Sequence, residues 1–172
     1  TTIDSEGEGN PSELADGEGA DDDGITFVSP LIPGEFAVLN IKLVNNTGSQ
    51  ANLDGWIDWD GNGNLEDGER LTWYPNAVDP DAGPTTTPYF VPSTGMQDFN
   101  AAIRVPNEAR FMDGMVMARF RLSNQLVGTP GGPDKYDAAG NPTGLPNGEV
   151  EDYKLNLACL GNLVWEDYTG DG

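Results

Sequence analysis

Histidine is absent from this 172-residue chain, cysteine occurs once, at Cys159, and only 8 lysines and arginines stand against 29 aspartates and glutamates. Each shortage removes a class of function. Without histidine there is no Ser-His-Asp triad, no Cys-His dyad and no imidazole-ligated zinc, copper or haem. One cysteine makes neither an intrachain disulfide nor a thiolate cluster. The scarcity of bases leaves a formal charge of −21, which repels phosphate backbones and argues against a nucleic-acid partner. No apolar run approaches the roughly 18 residues of a membrane span, so direct membrane insertion is not expected.

What the chain has in quantity is oxygen. Such a carboxylate inventory suits hard divalent cations, above all Ca²⁺. The acids are unevenly placed: nine fall within residues 1–24, where there is no base. Residues 1–19 are too polar and glycine-rich to bury much surface and read as a flexible acidic leader. Asp21, Asp22 and Asp23 differ, because they abut the apolar run Ile25 to Val28 and would be held against a folded domain.

From Ile25 onward the dominant signal is period two. Ala37, Leu39, Ile41 and Leu43 alternate with polar or small neighbours, as do Leu53, Gly55, Ile57 and Trp59, then Phe99 to Val105, Val116 to Leu122, and Tyr153 to Leu157. These read as half-buried strands, with weaker candidates at Arg70 to Tyr74 and Pro88 to Val91. Gly, Pro, Asn and Asp clusters separate them, and the only helical candidate is a turn around Asn107 to Met112. Short strands with no helices to cover a parallel sheet predict an all-β fold, an antiparallel β-sandwich of about seven to nine strands. The segment from Ser123 to Gly148 is longer than ordinary connections, which marks it as functional or mobile.

The strongest chemical motif is Asp58-Trp59-Asp60-Gly61-Asn62-Gly63-Asn64-Leu65-Glu66-Asp67-Gly68-Glu69, which fits D-x-[DN]-x-[DN]-G-x₅-E without a mismatch. Asp58, Asp60 and Asn62 place oxygens on one side of a tightening loop, and Gly63 makes the sharp turn. Asn64 would contribute its carbonyl, and Glu69 closes the shell with its carboxylate. Leu65 would anchor the loop. Strand-like flanks predict an EF-hand-like calcium loop set in a hairpin rather than between helices. Asp167, Thr169 and Asp171 form a partial copy of this loop, and the expectation is a following module over residues 159–172, completed in a longer polypeptide.

Gly148-Glu149-Val150-Glu151-Asp152-Tyr153, together with Leu53-Asp54-Gly55-Trp56-Ile57-Asp58, Ala118-Arg119-Phe120-Arg121-Leu122-Ser123 and Asp21 to Phe27, resembles the GEVED domain of large bacterial secreted and cell-surface proteins. The resemblance implies a calcium-stabilised β-sandwich over about residues 20–158 in a multidomain exoprotein. Gly161 to Asp167 resembles the opening strand and calcium loop of the B-repeat modules of serine-aspartate repeat adhesins. Read from the residues themselves, the signature is electrostatic. Arg119 and Arg121 share one strand face, so one of them should meet Glu151 or Asp152 across strands. The remaining carboxylates would join Asp21, Asp22 and Asp23 around a second cation, against the simpler reading of solvated surface acids.

These expectations converge on a non-catalytic, Ca²⁺-stabilised structural or adhesive module, secreted or displayed on a bacterial surface. Its partners would be neighbouring modules or copies of itself, with Leu160 to Trp165 as a strand able to add to a neighbour's sheet edge, and surface glycans. The alternative is a carbohydrate-binding module of a secreted enzyme, using Trp56, Trp59, Trp73, Tyr74 or Tyr89 as a stacking platform; core packing is the commoner use of such rings. Asn45-Asn46-Thr47 satisfies the N-glycosylation pattern.

Overall fold

The computed structural model describes residues 24–110, 115–124 and 148–156, with the backbone alone at 115–116, 148–150 and 156. The acidic leader, Asp21 to Asp23, the bulk of the Ser123–Gly148 connection, Cys159 and the partial loop at Asp167, Thr169 and Asp171 lie outside the described residues.

The alternation becomes two four-stranded antiparallel sheets. The strands are β1 (Ile25–Phe27), β2 (Phe36–Asn45), β3 (Ala51–Ile57), β4 (Trp73–Tyr74), β5 (Tyr89–Val91), β6 (Gly95–Arg104), β7 (Met115–Ser123) and β8 (Gly148–Asn156). One sheet runs β1-β2-β6-β4 and the other β5-β3-β7-β8. The architecture is all-β and sandwich-like, as the pattern predicts. Apart from two single 3₁₀ turns, at Asp67–Glu69 and Pro80–Ala82, no helix occurs among the described residues. At the expected helical turn, the described part holds a turn in which the Ala109 N–H donates to the Pro106 carbonyl at 3.2 Å.

β2 shows why alternation suffices for a central strand. Ala37, Leu39, Ile41 and Leu43 are fully enclosed, while Phe36, Val38 and Asn40 on the other face are half-buried and Lys42 is exposed. Burying a Leu or Ile this completely contributes about 1.5–3 kcal/mol each. Facing them from the second sheet are Leu53, Ile57, Ala118 and Phe120. Tyr89 stacks on Phe99 with centroids 4.8 Å apart, and Phe120 meets Tyr153 edge-on at 5.5 Å.

β3 departs from the half-buried expectation, because all seven of its residues are buried. Its core face carries Leu53, Gly55 and Ile57. On its other face Trp56 and Asp54 are enclosed as well, at 0% and 1% exposure. The physical reason is the company of a central strand. Arg70 bridges to Trp56 on one side and places its guanidinium 6.0 Å from the indole centroid, while Arg119 and Arg121 lie opposite on β7. Gly55 fits because its neighbours leave no room: a Cβ there would sit 2.7 Å from Leu71 Cδ1 and 2.9 Å from Phe120.

The weak candidates shrink to a few residues. Only Trp73 and Tyr74 of the Arg70 to Tyr74 segment form a strand, paired with Ile103 and Ala102 of β6, while Arg70 makes an isolated bridge to Trp56. Only Tyr89 to Val91 pair with β3 in the second candidate. The glycosylation pattern at Asn45 is also overtaken by packing. Asn45 is 1% exposed, and its amide nitrogen donates to the carbonyls of Ser49 at 3.0 Å and Val91 at 3.1 Å, so the atom that would carry a glycan is enclosed.

Candidate metal centre

The twelve-residue loop leaves the end of β3 and returns to Arg70. Its entry is pinned from outside, since the Asp58 N–H donates to the Met117 carbonyl at 2.9 Å and the Arg110 N–H to the Trp59 carbonyl at 2.6 Å. Inside, Asp58 organises the turn: its two carboxylate oxygens accept the backbone N–H groups of Asn62 at 3.1 Å and Gly63 at 2.9 Å. Gly63 adopts φ +81° and Gly61 φ +70°, the left-handed region that only glycine enters without cost. The sharp turn expected at Gly63 is therefore where the spacing predicts it.

The far end folds back by a reciprocal arrangement. Glu69 is 7% exposed; its Oε1 accepts the Trp59 N–H at 2.7 Å and its Oε2 accepts the Glu66 N–H at 3.0 Å. Positions two and twelve of the loop are thus tied together. The result is that Asp58, Asp60 and Glu69 each bring a carboxylate oxygen within 4.8 Å of the others. Asn62 flanks this cluster, its amide nitrogen donating to Asp60 Oδ2 at 3.1 Å and its oxygen accepting the Asn64 N–H at 2.7 Å. Leu65 is half-buried rather than part of the core.

Three like charges this close repel one another by roughly 3–4 kcal/mol per pair at an effective dielectric of about 20. Burial pushes the Glu69 carboxyl above the ordinary value, and the neighbouring charge of Asp58 pushes in the same direction. An all-oxygen donor set with two buried carboxylates, held by backbone bonds before any ligand arrives, fits a hard divalent cation.

A second electrostatic feature braces the loop. Asp54 just before it and Arg70 just after it form an ion pair, Arg70 Nη2 to Asp54 Oδ1 at 2.6 Å, with Nε on the same oxygen at 2.8 Å. This pair was readable in principle as opposite charges bracketing the motif, yet nothing in the alternation of β3 singles Asp54 out. Arg121 stands opposite Asp54 across the sheet. Burial raises the Asp54 carboxyl despite the opposing pull of Arg70 and Arg121.

The signature strand β8 behaves as its faces suggest. Arg119 pairs bidentately with Asp152, Nε to Oδ1 at 2.6 Å and Nη2 to Oδ2 at 2.7 Å, which is one of the cross-strand pairs expected. Glu151 falls on the opposite face, 2% exposed, and accepts the hydroxyl of Tyr153. The same tyrosine oxygen accepts the Ile25 N–H at 3.0 Å, tying β8 to the start of β1. Asp152 is thus spoken for by Arg119, and Glu151 and Asp152 project from opposite faces of one strand. Asp21, Asp22 and Asp23, the other half of the expected second cation site, lie outside the described residues. The cluster at Asp58, Asp60 and Glu69 is the one acidic group with metal-holding geometry among the described residues.

The aromatic residues proposed as a platform are largely core. Trp56 and Trp73 are fully enclosed, Trp59 nearly so, and Tyr89 packs between Trp73 and Phe99. Tyr74 alone stands on an outer face, half-buried. A family model described as the GEVED domain matches residues 52–156. No curated protein and no solved structure matches the chain.

Proposed function

The chain belongs to the GEVED family, and from that premise we propose that it is a Ca²⁺-stabilised, non-catalytic structural and adhesive module of an extracellular protein. The observation that carries the reading is the convergence of Asp58, Asp60 and Glu69 within 4.8 Å at the mouth of a backbone-tied loop. The family is not a known catalytic one. No helix among the described residues is long and apolar enough to cross a membrane, and the family is compatible with an extracellular setting.

On this reading Ca²⁺ is held by Asp58, Asp60, Asn62, the Asn64 carbonyl and Glu69, and its role is mechanical. It neutralises the clustered carboxylates and locks the hairpin that joins β3 to the Arg70–Tyr74 crossover. On this reading the domain spans about residues 20–158, and neighbouring modules or copies of the same protein are natural partners. The alternative of a carbohydrate-binding module of a secreted enzyme is not supported by Trp56 or Trp73, whose rings are enclosed.

Calcium titration of the metal-free protein, followed by calorimetry and by melting temperature, tests the proposal. Saturable binding with a raised Tm is expected, in the extracellular affinity range of about 10⁻⁴ to 10⁻³ M. Asp60→Asn, at an exposed loop position, should remove most of the Tm gain with little change in the metal-free Tm, whereas Glu69→Gln should also lower the metal-free Tm, because an amide oxygen accepts only one of the two N–H groups that the carboxylate holds. A Tm insensitive to millimolar calcium would overturn the reading.

A further inference from the structure

The outer face of the β1-β2-β6-β4 sheet differs in character from the rest of this acidic chain. Strand alternation puts Phe36, Asn40 and Lys42 of β2 on that face, and the register sets Arg104, Asn100 and Asp98 of β6 opposite them in turn. Tyr74 of β4 lies opposite Ala102, in the row between Arg104 and Asn100. These positions carry two cations against one carboxylate, in a molecule whose formal charge is −21.

The local geometry prepares the face for a ligand. Phe36 meets Tyr74 edge-on, with ring centroids 4.9 Å apart at 74°. The Arg104 guanidinium lies 4.7 Å over the Phe36 ring. Arg104 is exposed and makes no ion pair among the described residues, whereas Arg70 and Arg119 are each committed to a carboxylate. A guanidinium resting on a ring is pre-oriented, and its N–H fork remains available to an anion. About 13 Å further along β6, the amide nitrogen of Asn40 donates to Asp98 Oδ1 at 2.8 Å and to Asn100 Oδ1 at 2.9 Å. That arrangement leaves the Asn100 amide nitrogen and the second Asp98 oxygen without a hydrogen bond among the described residues.

We propose that this sheet face binds an acidic, uronate-containing oligosaccharide, with Tyr74 as the ring platform, Arg104, seated on the Phe36 ring, pairing with a sugar carboxylate, and Asn100 and Asp98 bonding sugar hydroxyls. The proposal rests on the reading of the module as adhesive and names its ligand class. The chemistry of each group selects the partner. Aromatic faces accept the C–H side of a sugar ring, a planar guanidinium pairs bidentately with a carboxylate, and an amide beside a carboxylate both donates to and accepts from hydroxyls. An acidic peptide fits less well, because its closely spaced carboxylates meet the like charge of Asp98, whereas a sugar unit brings hydroxyl donors to that oxygen. The separation of Arg104 from Asn100 requires an oligosaccharide, with carboxylate and hydroxyls drawn from different sugar units.

The test is isothermal calorimetry of the full calcium-loaded chain against glucuronate-, galacturonate- and mannuronate-containing oligosaccharides and their carboxyl-reduced forms. Binding of at least one acidic form is expected, weakened about tenfold or more by carboxyl reduction and by Arg104→Gln, since a charge-assisted pair is lost. Asn100→Ala should weaken it about threefold. Both substituted residues are exposed strand positions, and an unchanged Tm verifies the fold. Absence of binding across the panel, equal binding of the reduced forms, indifference to both substitutions, or equal competition by polyglutamate would each overturn the inference. The two readings fail separately: a protein stabilised by calcium that binds no uronate loses only the ligand, and one that binds uronate without responding to calcium loses only the metal.

Discussion

Gly55 shows how much a single missing carbon can decide. Leu71 and Phe120 occupy the space its side chain would need, and Phe120 is a rigid ring. Gly55→Ala is therefore expected to lower the unfolding free energy by about 1–3 kcal/mol through overpacking, read by chemical denaturation. Asp54 makes a pH-dependent contribution of definite sign. Burial raises its folded-state carboxyl above the ordinary value of 3.8, so the folded protein holds that proton more tightly than the unfolded chain. The stability this confers is complete below 3.8 and is lost as pH rises through the raised value. The unfolding free energy of native protein minus that of Asp54→Asn should therefore fall as pH rises from 3.8 through the raised value. A flat difference would show that Arg70 and Arg121 fully compensate the burial.

At the scale of elements, the β3 hairpin is the part most dependent on a ligand. Its loop is held by hydrogen bonds from backbone N–H groups to Asp58 and Glu69, side chains that also repel each other. Removing calcium should loosen residues 54–69 before the paired core of β2 and β6. In hydrogen exchange, chelation is expected to lose protection at Trp59, Asn62, Gly63 and Glu66 while the ten-residue β2–β6 ladder keeps it. Uniform loss across both regions would mean that the loop and core unfold as one unit. The hairpin also shows which elements a sequence can reveal. The loop is local, so its spacing carries its geometry, and Gly63 turns where the motif requires. β3 itself is not local. Its outer face is enclosed through Arg70 from beyond the loop and two arginines from β7, more than sixty positions away, and no period within Ala51–Ile57 encodes that.

At the scale of the whole molecule, the charge of −21 acts as a load on the folded state. Salt screens it, and bound calcium cancels part of it at one place. Raising sodium chloride from about 0.01 to about 0.15 M, which shortens the screening length from about 30 to about 8 Å, should raise the Tm of the metal-free protein more than that of the calcium-loaded protein. Equal gains would show that the loop charges add little to the overall repulsion.

The sandwich class, the strands β2, β6, β7 and β8 and the loop from Asp58 to Glu69 were all legible before any coordinates, because each depends on neighbours two to twelve residues away. The Arg119–Asp152 pair was legible as one of a few choices, since strand faces follow from alternation and only the register had to be added. Tertiary structure alone decided the rest. It made Trp56 and Trp73 core rather than platform, turned Asn45 inward, reduced the Arg70 to Tyr74 candidate to a two-residue strand, and gathered Phe36, Tyr74 and Arg104 from three strands onto one face. Burial and cross-strand company belong to pairs of segments far apart in the chain, and a sequence states them only once the segments have met.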